Sequence, residues 1–322
     1  MLTLLALHFA KIAKRIRVAG IYYGNYEAGR VTAGSEAKTP DTPMPIVDLT
    51  AFSELQDWIT NVYALLETGR AEPLSRWIEE KSAADSNAGA DVHKPIRDLA
   101  RRWQNLTDSL QTARSFFFQE RAFEAMESIG KVEDEPVYYA FRPMTTLLRQ
   151  VEEQIRPMVD SDPVRSGVGA IEWCYNHGLV QQTYTLIIEL VISTVCWVEG
   201  REVRNQNHRN DAAGWLSKAV KQFAPSALHH GSEAGGPKEP KPSGEKEKAA
   251  LRRLQQFPGL LDSYAQFNNL RNDLNHGAAR RNPHPPEVFS QVFAANWPKL
   301  KENLLHYWDS FSVGSAARTD EQ

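Results

Sequence analysis

Arg271, Asn272, Asp273, Asn275 and His276 fall within one short run, Arg271-Asn272-Asp273-Leu274-Asn275-His276, near the end of an otherwise apolar, helix-patterned segment. Together they supply the groups needed to break a phosphodiester without a metal. RNA carries a 2'-hydroxyl beside each scissile phosphate, so cleavage requires a group that removes that proton, charge to steady the phosphoryl oxygens, and help for the departing 5'-oxygen. His276 suits the proton transfer, because histidine is the side chain whose unperturbed pKa lies nearest neutrality. Arg271 offers a permanent, forked cation for the phosphate. The Asn272 and Asn275 amides can hydrogen-bond the phosphate or fix the histidine ring. Asp273 has two roles open to it, orienting His276 or pairing with Arg271.

The element that must position these groups is legible just upstream. Phe257, Leu260, Leu261, Tyr264, Phe267, Leu270 and Leu274 recur at three- and four-residue spacing, which makes one face of a core helix. A core helix gains nothing from an arginine and a histidine at the end of that stripe unless they reach a cleft or an interface. With 37 Lys and Arg and 9 His in the chain, spacing alone is a weak signal. Arg201 and His208 fit the same loose pattern, but they follow Gly200 in a polar run that reads as a helix end and loop, so the catalytic assignment goes to Arg271, Asn272 and His276 with Asp273 and Asn275 supporting.

Further upstream, Arg15 to Tyr23 reads as a strand, and Pro43-Met44-Pro45 leads into a second, Ile46 to Leu49, with a Gly-, Thr-, Ser- and Pro-rich loop or hairpin over 29–42 between them. The opening Leu2, Leu5, Phe9, Ile12 and Ile16 form a helical stripe. Its uncharged run is too short to span a bilayer and lacks the marks of a signal peptide, which points to a cytoplasmic protein with no membrane partner. Thr50 is the expected N-cap of a helix starting at Ala51. From there strand signals nearly stop. Helical stripes follow through Leu55–Leu65, Leu74–Ile78 and Ile96–Leu110, an arm reaches about Ile129, Gly130 to Pro136 interrupts it, and Phe141 to Val159 resumes. Asp160-Ser161-Asp162-Pro163 is the boundary candidate. Helices are expected over Val164–Asn176, with His177 as a helix-end residue, over the strongly apolar Leu179–Val198, and over Pro286–Phe311. Residues 224–249, with their Gly, Pro, Lys and Glu, read as a mobile solvated loop.

A chain of 322 residues with 42% hydrophobic content can bury a substantial core and hold more than one domain. Its formal net charge of -3 excludes a broadly basic nucleic-acid coat, so any RNA contact must be a local patch or cleft. Cys174 and Cys196 are the only cysteines, both in apolar surroundings, which points to reduced core thiols and to no metal site.

The run Asn269-Leu270-Arg271-Asn272-Asp273-Leu274-Asn275-His276-Gly277 resembles the signature of HEPN ribonucleases, and Trp173-Cys174-Tyr175-Asn176-His177-Gly178-Leu179-Val180-Gln181-Gln182-Thr183-Tyr184-Thr185-Leu186 resembles the paired helices preceding it in that domain. Val18-Ala19-Gly20-Ile21-Tyr22-Tyr23-Gly24 with Pro45-Ile46-Val47-Asp48-Leu49-Thr50 is similar to the later part of a CARF domain. Together they resemble CRISPR ancillary proteins of the DxTHG type, from type III systems. The resemblance implies a mainly α protein: a HEPN-type helical bundle over 161–322, a helical connector over 67–160, and a partial Rossmann-like CARF sensor over 1–66. The Asp-x-Thr-His-Gly loop of that family does not occur in the sequence, so the sensor is expected to lack its first strand or strands.

The same resemblance implies metal-independent cleavage of single-stranded RNA to a 2',3'-cyclic phosphate by a homodimer. It also implies activation by a cyclic oligoadenylate, cyclic tetra-adenylate above others, and no other cofactor. Tyr22, Tyr23 and Asn25 lie where a strand leaves the sheet, the usual ligand edge of an open α/β fold, and by resemblance would face that activator. Two alternatives stand beside the enzyme: a cyclic-oligoadenylate-binding or scaffold protein with a vestigial nuclease site, and a HEPN member of a toxin and antitoxin pair.

Overall fold

The computed structural model describes residues 20–24, 46–84, 94–115, 117–133, 145–224, 244–277, 279 and 283–312. The expected opening helix, residues 15–19 of the expected first strand, the loop over 29–42 and residues 225–243 lie outside the described residues, as does Asn25. Two compact units emerge, Met1–Leu65 and Leu66–Gln322, with the division inside a helix.

In the first unit, β1 (Tyr22–Gly24) pairs antiparallel with β2 (Ile46–Asp48), Tyr22 opposite Asp48 and Gly24 opposite Ile46. A Rossmann-like segment rests on parallel strands joined by helical crossovers. The described strands do not have that arrangement, and both are solvent-exposed along their length. The pair is tied to the start of α1 (Thr50–Thr68) by backbone and cap bonds. Leu49 N–H donates to the Ile21 carbonyl at 2.7 Å and Ile21 N–H donates to Thr50 Oγ1 at 3.0 Å. Thr50 N–H donates to Asp48 Oδ1 at 2.8 Å. Asp48 therefore caps the helix where Thr50 was expected to, because the Thr50 hydroxyl serves the strand. Hydrogen bonds from the Thr50 side chain, and then from its N–H, hold the Asp48 carboxyl below the usual carboxylate range.

Every described element of the second unit is a helix. After the end of α1 come α2 (Glu72–Ala84), α3 (Lys94–Gln111), α4 (Phe118–Glu133), α5 (Thr145–Ile155) and a 3-10 turn, Arg156–Met158. α3 has the clearest two-faced pattern: Ile96, Leu99, Trp103, Leu106 and Leu110 are buried, and they pack on α4. Of the interruption expected over Gly130 to Pro136, residues 130–133 are helical, since α4 carries on to Glu133 with Ile129 and Val132 buried on one side, and residues 134–136 lie outside the described residues. A single glycine costs a helix only about 1 kcal/mol, which the buried face outweighs.

α6 (Pro163–Asn176), α7 (Val180–Val198), α8 (Gln206–Phe223), α9 (Glu245–Leu254), α10 (Pro258–Asn275) and α11 (Pro286–Ser312) follow. α7 touches α6, α8, α10 and α11, and being enclosed on several sides is why its apolar residues run nearly all the way round. The boundary cluster becomes the entry to α6: Asp162 Oδ1 accepts from Val164 N–H at 2.8 Å and Arg165 N–H at 3.1 Å, with Pro163 in the first turn. Asp162 Oδ2 accepts from Trp308 Nε1 at 2.8 Å, which joins the same cap to α11.

α6 packs closely on the 3-10 turn because residue 169 is glycine. A Cβ at Gly169 would sit 2.5 Å from the Pro157 carbonyl oxygen. At the other end of α6, the His177 ring lies against Trp173, tilted by 34° with centroids 4.0 Å apart, and sits between the Trp173 carbonyl at 2.7 Å and the Leu66 carbonyl at 3.0 Å. It is a helix-end residue, as expected. α9 begins at Glu245, so the last residues of the loop expected over 224–249 are helical, and Ala224 ends α8. Cys174 and Cys196 are free and buried, and burial pushes the Cys174 thiol up to about 12. Among the described residues no helix is long and apolar enough to cross a membrane.

Candidate active site

α10 buries the predicted stripe. Leu260, Leu261, Tyr264, Phe267 and Leu270 are at most 4% exposed, Phe257 is buried at the cap, and Leu274 is half-buried. Tyr184 of α7 sits against Phe267 and Phe289, and its hydroxyl donates to the Phe289 carbonyl at 2.7 Å. α10 is thus clamped between α7 and α11, so the last turn holds a fixed place. Asn268, Asn269, Arg271 and Asn272 there are half-buried, while Asn275 and His276 are exposed.

Arg271 Nη2 donates to Asn268 Oδ1 at 3.0 Å, and its Nε is buried without a hydrogen-bond partner. Among the described residues no carboxylate pairs with Arg271. Glu189 of α7 shares a neighbour with Arg271, since both act on the Tyr264 phenol. Burial pushes that phenol up to about 12, with Arg271 pulling it down and Glu189 adding to the rise. Glu189 is already engaged. Its Oε2 accepts from Arg209 Nη2, and Arg209, 8% exposed, also donates to Ser193 Oγ at 3.0 Å and to the Val203 carbonyl at 3.3 Å. The Arg209 and Glu189 pair therefore leaves Arg271 as a cation held by an amide.

His276 ends α10 as its C-cap, with its N–H donating to the Asn272 carbonyl at 3.1 Å and Gly277 following at φ +55°. Its ring is exposed and has no hydrogen-bond partner among the described residues. Asn275 Oδ1 lies 3.5 Å from Gln181 Nε2 at the start of α7. Arg271 and His276 are five positions apart, so they project from different sides of the helix. The site is the end of α10, with arginine on one flank and histidine on the other.

Asp273 behaves differently from either expectation. It is 2% exposed, and its Oδ2 accepts from the His284 N–H at 2.8 Å and lies 2.8 Å from His284 Nδ1. Its side chain is committed to a histidine that sequence reasoning did not single out. The only local signal at His284 is its setting, Pro283-His284-Pro285-Pro286, and nothing in that setting names a partner eleven positions back.

The competing pair is built into the scaffold. Arg201 Nη2 donates to Asp211 Oδ2 at 3.0 Å, and its guanidinium lies 5.3 Å from the centre of the Trp215 ring. His208 sits in the first turn of α8, where a loop was expected, because Asn205 caps that helix by accepting from Asn207 N–H at 3.0 Å and His208 N–H at 3.4 Å. In the first unit, Tyr22 and Tyr23 are 68% and 52% exposed. Among the described residues no His, Cys, Asp and Glu side chains gather in a group able to hold a metal ion.

No curated protein matches the chain. Residues 54–159 match the family model described as CRISPR-associated protein MJ1674, second domain, a span that runs from within α1 to just past the 3-10 turn, and this match supports a CRISPR-associated protein.

Proposed function

We propose that the chain is a metal-independent endoribonuclease of the HEPN type acting on single-stranded RNA in CRISPR defence. The observation that carries the reading is the state of Arg271 and His276: half-buried and exposed respectively at the end of α10, they have no carboxylate partner among the described residues, whereas Arg201 is committed to Asp211. Arg271 leaves Asn268 for a phosphate oxygen, the stronger, charged acceptor. His276 moves the proton, and Asn272, half-buried one turn before it, steadies the phosphate or the ring. A twofold dimer would bring two such helix ends to one cleft. The family match over 54–159 supports the CRISPR setting. The first unit is the sensor in this reading, with cyclic oligoadenylate as its activator and the exposed Tyr22 and Tyr23 as contacts.

The test is cleavage of a labelled single-stranded RNA by wild type, Arg271→Ala and His276→Ala, with the product ends identified. A 2',3'-cyclic phosphate in the wild-type reaction, and its loss in both variants while they stay folded, is the expected result. Full activity in His276→Ala would refute the site. Complete absence of cleavage, with cyclic tetra-adenylate present, would favour the binding or scaffold reading.

A further inference from the structure

Resting on the ribonuclease reading above, we propose that His284 is a second catalytic histidine of the site, held by Asp273 so that its Nε2 serves as the general base. α10 ends at His276, the chain reverses through Gly277, and Ala279 N–H donates back to the His276 carbonyl at 2.9 Å. Residue 284 lies against the last turn of α10, where its N–H and its ring both meet Asp273. Asp273 precedes His276 by three positions, so the two side chains share one side of the helix. The His284 imidazole, bonded to Asp273, is therefore carried to the same helix end as His276.

The pairing also fixes the ring's chemistry. A carboxylate oxygen only accepts, so the Nδ1 that faces Asp273 Oδ2 at 2.8 Å carries the proton. Nε2 is then left with its lone pair, and the side chain is 30% exposed while its Asp273 partner is 2% exposed. A buried carboxylate behind a partly exposed imidazole is the arrangement that selects one tautomer and one orientation for proton abstraction.

Anchoring the linker does not account for the imidazole. The His284 backbone N–H already donates to the same Asp273 oxygen at 2.8 Å, and it is the one backbone donor in Pro283-His284-Pro285-Pro286. Any residue except proline would supply that anchor. The ring bond is additional to it.

In the cleavage step, His284 Nε2 takes the proton of the RNA 2'-hydroxyl. The 2'-oxygen forms a bond to phosphorus and the bond from phosphorus to the 5'-oxygen breaks. The 5'-oxygen takes a proton from the His276 imidazolium, giving a 2',3'-cyclic phosphate and a 5'-hydroxyl. One proton moves to His284 and one leaves His276, no water is consumed, and exchange with solvent resets both rings.

His284→Asn separates the two roles, because the asparagine amide N–H can reach the position of Nδ1–H and keep the bond to Asp273 while the base is lost. The full chain is assayed on single-stranded RNA from pH 5 to 9, with thermal unfolding alongside. A general base contributes roughly 100- to 10,000-fold, so kcat should fall by at least ~100-fold and the pH profile should lose one of its two limbs. A variant that cleaves within ~3-fold of wild type, against that scale, overturns the proposal and leaves His284 as an anchor. If His284→Asn does not fold as wild type does, His284→Ala with free imidazole in the buffer decides: restored cleavage supports the base, and no restoration overturns it. Wild type that cleaves no RNA overturns the ribonuclease reading and this proposal with it; active wild type beside an unaffected His284→Asn overturns this proposal alone.

Discussion

Replacing Arg209 with methionine should both destabilise the helical unit and disarm Arg271. Arg209 is 8% exposed and bonds Glu189, Ser193 Oγ at 3.0 Å and the Val203 carbonyl at 3.3 Å, so it joins α8 to α7 and to the segment between them. Methionine keeps much of the volume but leaves the Glu189 carboxylate unpaired. Breaking one side of a fully buried pair costs about 3–5 kcal/mol. The Glu189 side chain is 33% exposed, and water can take up part of that charge, so the figure falls to about 2–3 kcal/mol. For a unit of this size that is a fall of about 5–10 °C in Tm. The freed Glu189 shares Tyr264 with Arg271 as a neighbour and would draw the guanidinium to itself, so RNA cleavage should fall beyond what stability explains. Glu189→Gln in the same chain removes the stranded charge and should recover most of both losses. Urea unfolding of the four members of the cycle gives the coupling, and initial cleavage rates on the same samples give the functional arm. A cost under about 0.5 kcal/mol for Arg209→Met, within the range of ordinary surface changes, would refute the argument. So would a double variant no better than the single.

Gly169→Ala forces a Cβ to within 2.5 Å of the Pro157 carbonyl oxygen, and the strain should cost about 1–3 kcal/mol in urea unfolding, partly offset by alanine's better helix propensity. Tyr184→Phe removes a hydroxyl that donates at 2.7 Å and should cost about 1 kcal/mol, whereas Tyr307→Phe removes a buried hydroxyl without a partner and should be neutral or mildly stabilising. Alkaline pH should weaken the fold. Burial lifts the Cys174 thiol from 9.0 and the Tyr264 phenol from 10.0, each to about 12. Their folded-state pKa values exceed the unfolded ones, so this stability is complete below about pH 9 and is lost as pH rises toward 12; a midpoint that stays constant from pH 8 to 11 would contradict this. Cleavage should survive EDTA and should survive Arg201→Ala and His208→Ala. Loss with EDTA would refute metal-independent cleavage, and loss in either variant would refute the choice of Arg271 and His276 over Arg201 and His208.

The helical body was readable because its signals are local. Three- and four-residue spacing of large apolar side chains marks α7 and α10 whatever surrounds them, and a helix closes its own hydrogen bonds. Asp-Pro at 162–163 and Gly277 mark helix ends by backbone chemistry alone. The Arg271 and His276 run belongs with these, since its setting at the end of an apolar stripe is a property of adjacent residues. The misreadings have a common physical origin. Asp48 took the cap expected of Thr50 because the Thr50 hydroxyl was claimed by Ile21, nearly thirty residues away. Gly130 did not break α4, because packing supplies more than propensity removes.

The partners of Asp273, Arg209 and Arg271 lay beyond any periodicity. Asp273 has Arg271 and His276 close by in sequence, yet its Oδ2 lies 2.8 Å from the ring of His284, eleven positions on. The sequence by itself determined where most of the helices lie and which side of them is apolar, though not where α4, α8 and α9 begin or end. Tertiary structure decided which polar side chain meets which, because an ion pair or hydrogen bond needs its atoms within about 3 Å, and where two segments come that close is set by how the apolar faces pack.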